Sequence, residues 1–196
     1  NNLGEVYKAQ GRFEDAIQNY QRCLDESRNV NDVSAQCHIQ QSLGSIYRHT
    51  GRWEEAIEIY EECLRMYRIL NDRYGEGNVL SKLGTAYQAQ GQWQKALSKF
   101  NESLGFFRDL GDIHSERIVL DNLGMLYQRL GRWEEAVECH SSSIETYHDF
   151  GDLLGEANSL NRLGLIYREQ GRLQESLDCH TASLEIFRNA SALIDE

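Results

Sequence analysis

The feature that most limits how this 196-residue chain can fold is a pattern that returns five times at a constant spacing of forty residues. It reads Leu3-Gly4-x-x-Tyr7, Leu43-Gly44-x-x-Tyr47, Leu83-Gly84-x-x-Tyr87, Leu123-Gly124-x-x-Tyr127 and Leu163-Gly164-x-x-Tyr167. A unit that cannot close its own core must stack on its neighbours, so the repetition decides the architecture before any local preference is weighed.

A second pattern recurs with the same period: Gly11-Arg12-Phe13-x-x-Ala16-Ile17, Gly51-Arg52-Trp53-x-x-Ala56-Ile57, Gly91-Gln92-Trp93-x-x-Ala96-Leu97, Gly131-Arg132-Trp133-x-x-Ala136-Val137 and Gly171-Arg172-Leu173-x-x-Ser176-Leu177. In the third unit Leu80, Leu83, Ala86 and Tyr87 share a face at helical spacing. Beyond Gly91, so do Trp93, Ala96, Leu97, Phe100, Leu104 and Phe107. Two amphipathic helices per unit are therefore predicted. Gly91 and its equivalents fall just past the first helix, where a left-handed residue closes the last turn. Asp32, Asp72, Asp112 and Asp152 fall where the next first helix begins, so their carboxylates can accept its unpaired N–H groups. Glu14, Asp15, Glu54, Glu55, Glu134, Glu135 and Glu175 crowd the first turn of the second helices, where the helix dipole favours anions.

The small residues Gly4, Gly44, Gly84, Gly124 and Gly164 on first helices, and Ala16, Ala56, Ala96, Ala136 and Ser176 on second helices, mark where the pair approaches closely. Overpacking such a crossing, as in Gly84→Leu, is expected to cost roughly 1–3 kcal/mol.

Taken together, Leu-Gly-x-x-Tyr, then Gly, then Ala with an aromatic resembles the tetratricopeptide repeat, and the resemblance covers nearly the whole chain. The familiar unit is about thirty-four residues and carries a proline near its end; this one is forty, and the chain has no proline. The long unit is similar to the repeats of Pins-type spindle-orientation adaptors and kinesin light chains. It is also similar to arrays attached to bacterial NB-ARC signalling ATPases, whose Gly-Asp-x-x-Gly-Glu-Ala matches Gly151-Asp152-Leu153-Leu154-Gly155-Glu156-Ala157. The resemblance implies an all-α, right-handed superhelical solenoid of antiparallel helix pairs. Its units are expected at 1–31 (truncated), 32–71, 72–111, 112–151 and 152–190 of a single array spanning 1–196, with 191–196 a tail or the start of a further repeat.

No run of eighteen apolar residues and no charged-then-apolar leader occurs, so the chain reads as cytoplasmic. It begins inside a repeat and without Met, which reads as a fragment of a longer array. Cys23 and Cys63 share a repeat position with Ser103, Ser143 and Ser183, which favours small packing residues over a disulfide framework, a redox role or a metal role. Cys139-His140 and Cys179-His180 lie one repeat apart, but adjacent helical residues point about 100° apart and converge poorly on one ion. Moreover, His140 and His180 occupy the position of Tyr20, Tyr60 and Phe100. No cofactor and no metal is expected. Phosphate-binding loops, nucleophile elbows and His-Glu-x-x-His are absent from the sequence, and Gly75-Glu76-Gly77 lacks the rest of a dinucleotide fingerprint. The chain reads as a non-enzyme. A net charge of −11 opposes nucleic-acid binding.

In the family, first helices line the inner surface. Carried over by offset from Leu-Gly, the partner-facing rungs are Asn1, Gln41, Ser81, Asp121 and Asn161; Asn2, Ser42, Lys82, Asn122 and Arg162; Lys8, Arg48, Gln88, Gln128 and Arg168; Glu5, Ser45, Thr85, Met125 and Leu165; and His38, Asn78, Ile118 and Asn158. The partner-binding residues chosen from them are Arg48, Asn78, Lys82, Gln88, Asn122, Gln128, Asn158, Asn161, Arg162 and Arg168. Lys8, Arg48, Lys82, Arg162 and Arg168 outnumber Glu5 and Asp121, so an acidic chain carries a mildly basic, amide-rich face suited to a peptide backbone and to an acidic or C-terminal carboxylate segment. The chaperone-type carboxylate clamp needs Asn after the Gly and is not matched by Glu5, Ser45, Thr85, Met125 or Leu165. The expected function is an interaction scaffold with no nucleic-acid or membrane partner. The alternatives are a sensor or autoinhibitory region of a signalling ATPase, and end-to-end self-association through bare apolar faces.

Overall fold

The computed structural model describes residues 2–192; Asn1 and residues 193–196 lie outside them, and with them the outermost groove and tail expectations. Among the described residues the chain forms ten α-helices and no strand: α1 (Asn2–Ala9), α2 (Phe13–Asn29), α3 (Val33–His49), α4 (Trp53–Leu70), α5 (Arg73–Ala89), α6 (Trp93–Leu110), α7 (Ile113–Arg129), α8 (Trp133–Asp149), α9 (Leu153–Glu169) and α10 (Leu173–Ala192). The fold is an all-α solenoid of helix pairs. No described helix is long and apolar enough to cross a membrane.

The start and stop signals act as the sequence predicts. Asp32, Asp72, Asp112 and Asp152 accept from the backbone N–H of Ala35, Gly75, Ser115 and Gly155 at 2.8–3.1 Å. Between the helices of a pair, Gly51 has φ +76° and the backbone N–H of Arg52 returns to the Tyr47 carbonyl. Second helices end on Asn31 and Asn71 in the same left-handed region, the polar residues that tolerate it best. At Ser191 neither Asn nor Gly is present, and α10 runs through Ala192.

The chain divides into two compact units at Leu110/Gly111. In the first, α1–α6 pack in sequence, each against the next, around Tyr20, Tyr60, Leu80, Leu83, Phe100 and Phe107. The predicted close approach is seen at Gly84, where a Cβ would lie 2.7 Å from Cδ1 of the fully buried Phe100 ring. In the second unit, α7–α10 pack likewise around Leu123, Leu126, His140 and Ile166. There His140 takes the place of the aromatic ring and lies against Gly124.

Candidate functional site

In the first unit, the apolar stripe turns Leu43, Ile46 and Tyr47 of α3 and Leu83, Ala86 and Tyr87 of α5 into the core. The rung positions Gln41, Ser42, Ser45, Arg48, Asn78, Ser81, Lys82, Thr85 and Gln88 are left half-buried, and His38 exposed. Several are engaged internally. Gln41 donates to the Tyr67 hydroxyl at 2.6 Å, Asn78 to the Tyr74 carbonyl of its own helix at 3.2 Å, and Thr85 to the Ser81 carbonyl at 3.1 Å. Asn78 thus spends one amide donor on its own backbone. Glu5 accepts from Tyr20 at 2.5 Å and from Lys8 at 3.3 Å; the Tyr20 bond, chiefly, holds its carboxyl below the usual value.

Arg48 and Lys82 have no acidic partner among the described residues. The Arg48 guanidinium lies 3.5 Å from His49 Nε2. Burial pushes the Lys82 ammonium below its usual pKa, and Arg48 and Lys8 add like-charge repulsion. Burial pushes the Tyr60 phenol up to about 12 while Arg48 pulls it back.

In the second unit, Asn122, Gln128 and Arg162 are half-buried, whereas Asn158, Asn161 and Arg168 are exposed. The Oδ1 of Asn161 lies 2.9 Å from His180 Nδ1, and Arg168 pairs with its neighbour Glu169 at 3.3 Å. Arg162 has no acidic partner among the described residues. Asp121 turns inward: it accepts from the Tyr147 hydroxyl at 2.9 Å and from Ser159 at 3.5 Å, with His140 Nδ1 at 3.7 Å. Burial raises its pKa, but the nearby His140 ring and the Tyr147 hydroxyl outweigh that and leave the carboxyl below its usual value. Both acids on the rungs, one in each unit, are thus tied to tyrosines.

The Cys and His residues sit where packing places them. Cys63 is fully buried and its thiol donates to the Cys37 carbonyl at 3.8 Å. Ser103 and Ser183 repeat that contact at 2.7 Å with the carbonyls of Gly77 and Ala157. His140 and His180 lie against Gly124 and Gly164. Among the described residues no three His, Cys, Asp or Glu groups are placed to hold a metal ion.

Two features were not read from the sequence. In the Gly-Arg pairs, Arg12, Arg52, Arg132 and Arg172 lie 4.2–4.6 Å over the rings of Tyr7, Tyr47, Tyr127 and Tyr167. They also pair with Asp15, Glu55, Glu135 and Glu175, so those acids answer an arginine as well as the helix dipole. The signal was available: where Gln92 replaces the Arg, Lys95 takes over, 5.2 Å from the Tyr87 ring. Glu61 is the second. It reads as an outer-face residue by helical position, but it accepts from the Tyr87 hydroxyl at 2.7 Å and so belongs to the packing between repeats.

The sequence profile of the tetratricopeptide repeat matches residues 1–68, 35–109 and 115–189. This chain belongs to the tetratricopeptide repeat family. No curated protein matches it in sequence. Among solved structures, BtubC (BKLC) from P. vanneervenii superposes with a TM-score of 0.89 at 20% identity, over 96% of this chain and 78% of that one. The nearly identical repeats of a kinesin light chain-like protein of Podosopora anserina give 0.81 at 19%, over 96% and 93%. A Rap protein complexed with Competence and Sporulation Factor gives 0.76 at 15%, over 94% of this chain and 52% of that one. At these identities the likeness is one of fold.

Proposed function

We propose that this tetratricopeptide repeat chain is a non-catalytic interaction scaffold whose first helices hold a peptide or partner segment. The observation that carries the reading is the asymmetry of charge on the rungs. Arg48 and Lys82 in the first unit and Arg162 in the second have no acidic partner among the described residues, while Glu5 and Asp121 are occupied by Tyr20 and Tyr147. A chain of net charge −11 thereby offers cations and amides on the helices that its fold leaves half-covered. Such groups suit an extended segment with acidic character, since charge-assisted bonds exceed neutral ones in strength. The Rap protein, complexed with a factor, is a precedent on the same fold.

A photo-crosslinking residue placed in turn at Gln88 and Gln128 on first helices, and at the exposed Glu58 and Glu138 on second helices, tests this. The partner is expected to crosslink at Gln88 or Gln128; crosslinking confined to Glu58 and Glu138 would refute it. A second reading, self-association, is favoured by the exposure of Leu173, Leu177 and Leu184 along α10. Light scattering over a concentration series, repeated with Leu177→Glu, separates it: mass that rises in the parent and not in the variant supports it.

A further inference from the structure

The fourth repeat departs from the others at one buried position. Cys37, Gly77 and Ala157 share a place on the first helix and are all small, whereas the fourth repeat puts Arg117 there. Arg117 is 7% exposed, a burial that arginine seldom accepts, and its Nε is enclosed without a hydrogen-bond partner among the described residues. The guanidinium lies 3.9 Å over the Tyr147 ring, and its Nη2 is 3.1 Å from His114 Nδ1 and 3.5 Å from Asp152 Oδ2. Arginine only donates, so His114 accepts through Nδ1. A closed charge-assisted bond measures about 2.7–2.9 Å, so the pair with Asp152 stands open.

A pocket of about 200 Å³ opens at this arginine, within the second unit, lined by Ile113, His114 and Arg117 of α7 and by Phe150 and Asp152 of the α8–α9 turn. None of the five is a rung position. Ile113 and Phe150, 40% and 64% exposed, supply apolar walls, and Arg117, His114 and Asp152 supply the polar ones. The third repeat shows what this place accepts. There Tyr74 stands at the position of His114 and Gly77 at that of Arg117, and the Tyr74 ring packs edge-on against Phe107, the equivalent of Tyr147, with centroids 6.0 Å apart. The third repeat thus covers this aromatic position with a phenol ring of its own, and the fourth, lacking that ring, has a pocket.

We propose that this pocket binds a tyrosine side chain of a partner protein, at a site separate from the first-helix rungs. The ring packs on Ile113 and Phe150. The phenol oxygen accepts from Arg117, and its O–H donates to Asp152 Oδ2, the carboxylate oxygen that the helix cap leaves over, since Oδ1 accepts from the Gly155 N–H at 3.0 Å. A hydroxyl meets both needs at once, whereas a phenylalanine meets neither and a carboxylate is repelled by Asp152. The chain treats its own tyrosines with the same two groups. Acids accept from the hydroxyls of Tyr20, Tyr87 and Tyr147, and arginines cover the rings of Tyr7, Tyr47, Tyr127 and Tyr167.

The test uses the whole chain, nitrogen-labelled, with two-dimensional NMR. The probes are the acetyl amides of tyrosine, O-methyltyrosine, phenylalanine and leucine, none of which carries a charge. The tyrosine probe is expected to shift the signals of His114, Arg117 and Phe150 toward saturation by about 20 mM, where a site of millimolar affinity is nearly full. The phenylalanine and O-methyl probes are expected to bind about tenfold more weakly, the loss of a hydrogen bond to a charged group, and the leucine probe more weakly still. Arg117→Ala gives the fourth repeat the residue that the fifth has at Ala157, so the chain is expected to keep its helical circular dichroism while the tyrosine probe binds at least about tenfold less tightly. His114→Tyr restores the residue of the third repeat and is expected to fill the pocket and abolish binding. Phe150→Ala, at an exposed position, is expected to weaken binding severalfold, and Leu154→Ala, exposed on α9 outside the pocket, to change nothing. The proposal is overturned if the tyrosine probe leaves the three signals unmoved, if phenylalanine or leucine binds as tightly as tyrosine, or if the His114→Tyr or Phe150→Ala chain binds the tyrosine probe as the parent does. Any of these results leaves the first-helix reading standing, because no rung residue lines the pocket.

Discussion

Replacing glycine by alanine at two helical positions of one unit is expected to give changes of opposite sign. Gly105 is exposed on α6, and a Cβ there would meet nothing within 4 Å. Alanine is favoured over glycine in a helix interior by about 1 kcal/mol, so Gly105→Ala should stabilise by nearly that amount. Gly84 on α5 is buried, and its added Cβ would lie 2.7 Å from both Cδ1 and Cε1 of Phe100 and 2.9 Å from Cγ. Phe100 is fully buried and has nowhere to swing, so α5 must move or the ring must leave its rotamer. Overpacking of this kind costs about 1–3 kcal/mol. After subtracting the same propensity gain of about 1 kcal/mol, Gly84→Ala should be destabilised by up to about 2 kcal/mol, and Gly84→Leu by more. For a chain of this size 1 kcal/mol corresponds to about 2–4 °C in melting temperature. The assay is thermal and urea melting followed by circular dichroism, with denaturant slopes compared because repeat arrays need not unfold in one step. A Gly84→Ala chain as stable as Gly105→Ala would refute the close packing of α5 on α6.

Cysteine reactivity should follow burial. Cys37, pushed up to about 11 by burial first, and Cys63, pushed higher still by the same cause, should resist a thiol reagent at pH 8 in the native chain, while the half-buried Cys23 and Cys179 react. Quantitative labelling of all five without denaturant would contradict this. The depressed pKa of Asp121 means that its ionised form contributes stability in full above the unfolded value of about 3.9, a contribution lost as pH falls through the lower folded value. Asp121→Asn should therefore cost about 1–3 kcal/mol at pH 7 and progressively less below about pH 4, which melting curves across pH would check.

Most of the fold was legible because its determinants are local and repeat in phase. The Asp caps, the left-handed glycines and the apolar stripe each depend on a few consecutive residues, and five copies let one confirm another. Polar contacts spanning 26 residues, such as Glu61 to Tyr87 and Asp121 to Tyr147, were not, because which hydroxyl reaches which acid depends on how one helix pair rests on the next. The rung positions were legible as positions. Their state was not: Asn78 bonds its own helix and Asp121 turns inward, contacts that depend on side-chain placement rather than on position in the repeat. The paired arginines over Tyr7, Tyr47, Tyr127 and Tyr167 were written in the sequence as Gly-Arg and overlooked because a solvated arginine is the ordinary reading.

The central claim, that function resides on the first helices and draws on their cations, is tested most directly by calorimetry with the partner recovered by pull-down with this chain. Arg162→Ala is compared with Glu58→Ala and Glu138→Ala, exposed on second helices, at low and high salt. The account predicts that Arg162→Ala weakens binding by about ten- to a hundredfold, as loss of a charge-assisted contact does, with the gap narrowing at high salt and with the second-helix variants binding like the parent. Equal losses from first-helix and second-helix variants, or binding indifferent to salt, would contradict it.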